Sequence, residues 1–184
     1  AAPEYLWAYE AGVKSVLMDQ RLLLNLSYFF WDISDLQVQG FDANAGTFFL
    51  ENAGKAENQG VELEMMARPG PELELSFNGA YLDAVYVDFA SIGGDGITPI
   101  NLAGNKQPMS PEWSFASSAK YTIPVSNLGE MSFRAEVQWR DELFFRTDNA
   151  FAHDSFALVN GAISFTTAEE HWKFTLFARN ITDK

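Results

Sequence analysis

The side chains best suited to acid–base chemistry in this sequence are its two histidines, His153 and His171. They fall in different turns, at opposite ends of the strand pattern described below, so we expect them not to share a metal ion. Asp154 and Ser155 follow His153, but neighbouring residues at a strand end point in different directions, so contiguity does not make a catalytic triad. No G-x-S-x-G motif occurs, and cysteine is absent, which excludes disulfides and thiolate metal sites. We therefore predict no catalytic residue, no metal site, no cofactor and no enzymatic activity.

A second group with chemical potential consists of carboxylates that share one face of a predicted hairpin: Glu62, Glu64, Glu72 and Glu74. Paired carboxylates can act as an acid–base couple or hold a cation. Basic residues with the same alternation, Arg68, Arg134 and Arg140, would balance them. We favour a hydrated wall of a lumen over a catalytic pair.

The overall composition limits the classes of function that the chain can have. The 184 residues include 12 Lys+Arg and 25 Asp+Glu, which gives a formal net charge of −13. A chain this acidic is a poor match for non-specific nucleic-acid binding, which requires Lys and Arg at the phosphates. With 47% hydrophobic residues, the chain does not have the composition of a disordered segment.

The elements that must position these residues are β-strands, because the hydrophobic period is two. In Met131–Arg140, apolar and polar side chains alternate strictly, which is typical of a strand with one apolar and one polar face. The same pattern predicts eight strands, at roughly 5–17, 21–38, 47–67, 72–88, 112–123, 130–145, 155–166 and 171–180. The fold class is therefore all-β, an antiparallel up-and-down meander.

The connections between these strands alternate in length. Short polar turns occur at 18–21, 68–71, 124–130 and 167–171, whereas the connections 90–111 and 146–154 are longer. Short turns at one end and longer loops at the other are typical of an outer-membrane barrel. Aromatic residues near strand ends, which include Trp31, Tyr81, Tyr86, Trp113 and Trp172, favour girdles at two membrane–water boundaries. A soluble β-sandwich binding module and a small closed barrel, serving as an anchor or an enzyme, are the alternatives.

Five segments together resemble TonB-dependent outer-membrane receptors. They are Tyr9–Ser15, Asn52–Glu64, Gly79–Ala84, Asn101–Asn105 with Pro108 and Pro111, and Ala178–Lys184. The resemblance implies a segment of a large transmembrane barrel of about 22 strands, plugged by a globular domain. Residues 1–184 would be the C-terminal third of the barrel, with the plug domain and the final strands absent.

The resemblance also implies a function and a place. The protein would take up a scarce ligand, such as siderophore-bound iron, cobalamin or a carbohydrate, across the bacterial outer membrane with energy delivered through TonB. Its partners would be outer-membrane lipid, the TonB complex, the plug domain and a small extracellular ligand. In such a receptor the long loops face outside, where Arg146 and His153 would meet anionic ligand groups, and Phe144, Phe145 and Phe151 would stack on aromatic ones.

Overall fold

The computed structural model describes residues 2–42, 45–52, 54–93 and 98–183, and the regular structure in them is β-sheet. The long strands are β1 (Tyr5–Leu17), β2 (Leu22–Ser34), β5 (Lys55–Ala67), β6 (Leu73–Asp88), β9 (Trp113–Val125), β10 (Gly129–Arg140), β13 (Phe156–Thr167) and β14 (Lys173–Ala178). The short strands are β3 (Gln37–Asp42), β4 (Thr47–Asn52), β7 (Ala90–Ile92), β8 (Pro99–Asn101), β11 (Leu143–Phe144) and β12 (Ala152–His153). Among the described residues, none form a helix of the length and apolarity needed to cross a membrane.

The long strands form one antiparallel sheet in the order β1-β2-β5-β6-β9-β10-β13-β14. This is the predicted eight-stranded meander. The short strands pair with each other as three hairpins, β3–β4, β7–β8 and β11–β12, all at the end of the sheet opposite the short turns. The predicted strand 21–38 ran into the first two residues of β3, and the predicted strand 47–67 included all of β4. The predicted strand 130–145 likewise included β11, whereas β10 ends at Arg140.

One face of this sheet is apolar across all eight strands because the register aligns the apolar residues. Val13 lies opposite Leu26 and Leu26 opposite Leu63, while Phe133 lies opposite Ile163 and Ile163 opposite Leu176. These side chains are uncovered: Leu26 is 42% exposed and Leu176 75%. Within the described residues the other sheets are two-stranded hairpins, so no second sheet packs on this face and the soluble-sandwich alternative is wrong.

The opposite face is polar and forms the wall of a cavity of about 950 Å³. Its side chains form hydrogen bonds across strands. The Ser76 and Ser118 hydroxyls lie 2.8 Å apart, and the side-chain amide of Asn25 donates to the Glu64 carboxylate at 2.7 Å. Near the short turns, Glu74 pairs with Lys120 at 3.2 Å and with Arg68 at 3.4 Å. We call this surface the inner face.

Two aromatic residues expected in the girdles lie elsewhere. Trp31 is on the inner face, where its ring centroid is 5.3 Å from that of Phe29. Tyr86 is only 2% exposed and packs on Phe89 in a small core at the loop end of the sheet. The other members of that core are Ile33, Val38, Ala56 and Leu102. Both errors have one cause: sequence position near a strand end does not say which face a residue occupies or what loop covers it.

The sheet remains open, with β1 and β14 as its two edges. In the described part of the chain these strands do not pair with each other, so the alternative of a small closed barrel is also wrong. Their outward backbone groups have no ladder partner within this sheet. In lipid each unsatisfied backbone group costs several kcal/mol, so a stable membrane protein requires further strands at both edges.

Gly60 provides a test of the inner-face packing. A Cβ atom at this position would lie 2.4 Å from the Tyr81 carbonyl oxygen and 2.6 Å from the Phe29 ring. Since the closest atom is backbone, Gly60→Ala should destabilise the protein by about 1–3 kcal/mol, a typical cost of overpacking. Thermal unfolding of the purified full-length protein in detergent, followed by circular dichroism, measures this effect. The control is Gly161→Ala, whose Cβ would meet nothing closer than 3.7 Å; equal melting temperatures for the two variants would contradict the packing argument.

Candidate functional site

The residues expected to contact a ligand lie together on the hairpin β11–β12, which rises between β10 and β13. Leu143 pairs with His153 and Phe144 with Ala152, and the Phe145 amide donates to the Phe151 carbonyl at 2.9 Å. These bonds bring the two ends of the segment Phe145–Phe151 together.

The turn of this hairpin is closed by a backbone hydrogen bond and by its polar side chains. The Asn149 backbone N–H donates to the Arg146 carbonyl at 3.1 Å, and Asn149 adopts a positive φ of 53°. Asparagine tolerates this left-handed conformation better than most residues. The Asp148 carboxylate accepts a bond from the Ala150 amide at 3.1 Å. The chain therefore reverses direction in a fixed shape.

The hairpin presents aromatic rings and a guanidinium to solvent. Phe145 is 52% exposed and Phe151 60%. The Arg146 guanidinium carbon lies 5.6 Å from the Phe151 ring centroid, and a guanidinium nitrogen lies 2.7 Å from the Asp148 carboxylate. Arg146 is thus held over the ring, but Asp148 partly neutralises its charge. Phe144, by contrast, is half-buried at the base of the hairpin.

His153 lies where the hairpin joins β13. Its Nδ1 is 2.8 Å from the Asp154 carbonyl oxygen. Its ring centroid is 6.5 Å from that of Phe145 and 5.6 Å from that of Phe156. His171 is in the turn at the other end of the sheet, beside Glu169. Within the described ranges, no three or more His, Cys, Asp or Glu residues are grouped so that they could hold a metal ion.

The connection from β8 to β9 is a structured element rather than a free loop. β9 pairs with β6 only as far as Tyr81. Beyond that point residues 102–112, which we call the strap, take over as the partner of β6: the Tyr86 amide donates to the Asn105 carbonyl at 3.0 Å, and the Gln107 amide to the Ala84 carbonyl at 2.9 Å. The strap therefore satisfies the backbone of β6 up to the core at the loop end.

The strap also anchors the hairpin through Asn149. The Lys106 amide donates to the Asn149 side-chain oxygen at 2.9 Å, and the Asn149 side-chain nitrogen donates to the Lys106 carbonyl at 2.9 Å. The Asn105 side chain donates to the Thr147 carbonyl at 2.9 Å. The Glu112 carboxylate accepts a bond from the Lys106 ammonium, which raises the pKa of that lysine above its ordinary value. The sequence analysis used Asn101–Asn105 only as part of the family resemblance. It did not predict that the strap anchors the hairpin.

Below the hairpin, on the inner face, Arg140 and Phe156 form a second cation–aromatic pair that sequence reasoning missed. They are register partners on β10 and β13, and the Arg140 guanidinium carbon lies 4.7 Å from the Phe156 ring centroid. One signal was available in the sequence. Phe156 and Leu158 are apolar residues in the polar phase of their strand, opposite in face to Val159 and Ile163.

Comparison with known proteins agrees with this architecture. A family model described as "TonB dependent receptor-like, beta-barrel" matches residues 2–181. The pesticin receptor of Yersinia pestis is 24% identical over 176 residues, which are 96% of this chain and 24% of the receptor. The chain thus spans about a quarter of the length of this relative.

Solved structures show the same fold. The ferric yersiniabactin uptake receptor of Yersinia pestis matches with a TM-score of 0.76 and 23% identity, over 98% of this chain and 25% of the receptor. The ferric-catecholate import receptor of E. coli K12 matches with a TM-score of 0.71 and 19% identity, over 100% of this chain and 24% of the receptor. The family match covers nearly every residue of the sheet, and the chain therefore belongs to the TonB-dependent receptors, of whose β-barrel it forms a part.

Proposed function

We propose that this chain is a segment of the barrel of a full-length receptor in the bacterial outer membrane, which imports a ferric siderophore with energy delivered through TonB. The observation that carries the proposal is the apolar face, which is continuous over eight strands and on which none of the described residues form a second layer. A plug domain inside the barrel and the TonB complex are the partners that the family assignment supports. Binding and transport, rather than bond chemistry, would be the activity.

The apolar face supports a membrane location on physical grounds. Aliphatic and aromatic side chains occupy its middle rows, and at the loop end an aromatic row includes Tyr81 and Trp113, whose ring centroids are 4.7 Å apart. Beyond that row the same face becomes polar, with Gln59 donating to the Asp83 carboxylate at 3.1 Å. An apolar band bounded by aromatic rings is the pattern of a lipid-facing barrel wall.

The side chains on the hairpin β11–β12 favour a ligand that is both anionic and aromatic. Phe145 and Phe151 offer exposed ring faces, Arg146 offers a positive charge, and His153 adds a further ring with hydrogen-bonding nitrogens. Two of the similar proteins named above are a ferric yersiniabactin uptake receptor and a ferric-catecholate import receptor. We therefore assign Arg146, His153, Phe145 and Phe151 to contacts with an iron complex whose ligand groups are aromatic and negatively charged.

Spin labelling of the full-length receptor, reconstituted in lipid, tests the membrane location. Single cysteines are placed on the apolar face, at Phe133, Val137, Leu63 and Phe174, and on the inner face at the adjacent positions Arg134 and Glu64, and nitroxides are attached in detergent. We expect nitroxides of the first set to collide mainly with lipid-dissolved oxygen and those of the second set with a water-soluble nickel chelate, because alternate side chains of a strand face opposite sides. If nitroxides of the first set are shielded from both, those side chains are packed in protein and the membrane location is wrong.

Growth of an iron-starved strain that lacks its own siderophore receptors tests the transport function. The full-length receptor should restore growth on ferric yersiniabactin or on a ferric catecholate, and deletion of TonB should abolish it. Arg146→Gln should weaken binding of the complex that supports growth about 2- to 5-fold, since a cation–aromatic contact at an exposed site supplies about 0.5–1 kcal/mol. Arg21→Gln, which removes the same charge at the short-turn end, is the matched control. TonB-independent growth would refute the transport mechanism, and equal affinity of the two variants would refute the hairpin assignment.

A further inference from the structure

The hairpin β11–β12 has few hydrogen bonds of its own. Its strands contain two residues each, Leu143–Phe144 and Ala152–His153. A two-stranded hairpin is only marginally stable in water by itself, and segments with so few ladder bonds open locally at a low cost in free energy. The turn that carries Arg146, between Phe145 and Phe151, therefore requires contacts with another element to keep a fixed position.

The strap makes such contacts at both ends of the hairpin. At the base, the Met109 backbone N–H donates to the Phe144 carbonyl at 2.8 Å. At the turn, the Asn105 side chain donates to the Thr147 carbonyl at 2.9 Å. Since the strap is itself hydrogen-bonded to the backbone of β6, these contacts connect the hairpin with the eight-stranded sheet.

Asn149 makes the most extensive contact between the two elements. Its side-chain oxygen accepts a bond from the Lys106 backbone N–H, and its side-chain nitrogen donates to the Lys106 carbonyl, both at 2.9 Å. The same nitrogen donates to the Arg146 carbonyl at 3.3 Å. The amide of Asn149 thus pairs with Lys106 as the backbone of a neighbouring strand would, and it also fixes the backbone at Arg146.

The position of Asn149 makes two chemical demands at once. Its φ of 53° lies in the left-handed region, which glycine, asparagine and aspartate adopt more readily than other residues. The contact with Lys106 requires a donor and an acceptor on one side chain. Of these three residue types only asparagine has both near neutral pH, because glycine has no side chain and ionised aspartate has no donor.

We propose that Asn149 is a positioning residue for ligand binding: its side-chain amide holds the hairpin on the strap and thereby keeps Arg146 and Phe151 in the arrangement that the ligand meets. This inference rests on the proposed function, which assigns the ligand contacts to the hairpin. Attachment of the hairpin to the strap does not depend on a ligand and is measured separately. Without the amide, the hairpin moves between attached and detached positions, and the apparent affinity falls in proportion to the attached fraction.

Hydrogen exchange of the full-length receptor in detergent, without ligand, measures the attachment. Asn149→Gly permits the positive φ and adds no charge, but it removes the amide. Ala150→Gly gives the neighbouring residue the same backbone freedom and leaves Asn149 in place, so it is the matched control. We expect the amides of residues 143–153 to exchange about 10-fold faster in Asn149→Gly than in Ala150→Gly, because the lost bonds lower the free energy of local opening. Equal exchange in these two variants overturns the proposal.

Asn149→Asp tests the amide donor through its pH dependence. Near neutral pH its carboxylate places an oxygen against the Lys106 carbonyl, so the hairpin should detach. Protonation at about pH 4 supplies one O–H donor, which restores that bond, so protection of the hairpin amides should rise as the pH falls. The charged groups around this position are Arg146 and Asp148 on the hairpin and the Lys106 ammonium with Glu112 on the strap. They are also present in Asn149→Gly, so an equal rise of protection in that variant contradicts the role of the donor.

Binding kinetics of the full-length receptor test the consequence for the ligand, with a ferric tris-catecholate and ferric yersiniabactin as probes. We expect Asn149→Gly to lower the association rate constant about 5-fold and to leave the dissociation rate constant near its wild-type value, because the ligand binds only the attached hairpin. Arg146→Gln, which removes a direct contact, should instead raise the dissociation rate constant. Exchange of the β9 and β10 amides at wild-type rates establishes that the barrel of each variant is folded.

The outcomes separate this inference from the proposed function. If the receptor binds either iron complex and Asn149→Gly binds it with wild-type rate constants, the positioning role is wrong while the proposed function stands. A rise in the dissociation rate constant alone also contradicts it, since that result indicates a direct contact. If the receptor binds neither complex, the proposed function and the role of Asn149 in ligand binding are both wrong, whereas faster exchange in Asn149→Gly still supports the attachment to the strap.

Discussion

The hydrogen-bond register of the eight-stranded sheet is the constraint on which the rest of this structure depends. Side chains alternate with period two, so a slip of one residue in any strand pair would move every side chain of that strand to the other face. The observed register avoids this in each pair, as Leu26 opposite Leu63 and Phe133 opposite Ile163 illustrate. A continuous apolar surface and a continuous polar wall are therefore two consequences of one ladder.

The strand pairing of β6 also determines the structure at the loop end of the sheet. β6 extends well beyond the point where β9 leaves it, so its upper half requires another partner for its backbone groups. The strap supplies that partner, and the same segment then offers the Lys106 backbone to Asn149. The position of the hairpin β11–β12 thus follows from a requirement of the sheet. The hairpin is consequently attached both to the strands that it connects and, by hydrogen bonds, to the strap.

Sequence reasoning succeeded where a periodic pattern and a burial rule agree, and failed where contacts are non-local. The alternation of Met131–Arg140 was sufficient to place β10 and both of its faces. The same kind of alternation did not separate β3 and β4 from the main sheet, because side chains in a loop hairpin alternate with the same period as those in a barrel strand. The strap has no period, and the contact of Asn149 with Lys106 joins residues 43 apart in sequence. Arg140 was expected to balance the inner-face glutamates, but among the described residues no carboxylate forms an ion pair with it.

The two arginines of the loop end differ in a way that has a consequence for binding. Asp148 holds Arg146 over Phe151 and reduces its net charge, so the exposed site is ordered but attracts anions weakly. Arg140 is half-buried against the Phe156 ring on the inner face, and in the described part of the chain it makes no ion pair with a carboxylate. One sheet thus places one arginine at the exposed end of the hairpin together with its counter-charge, and a second on the inner face against a ring.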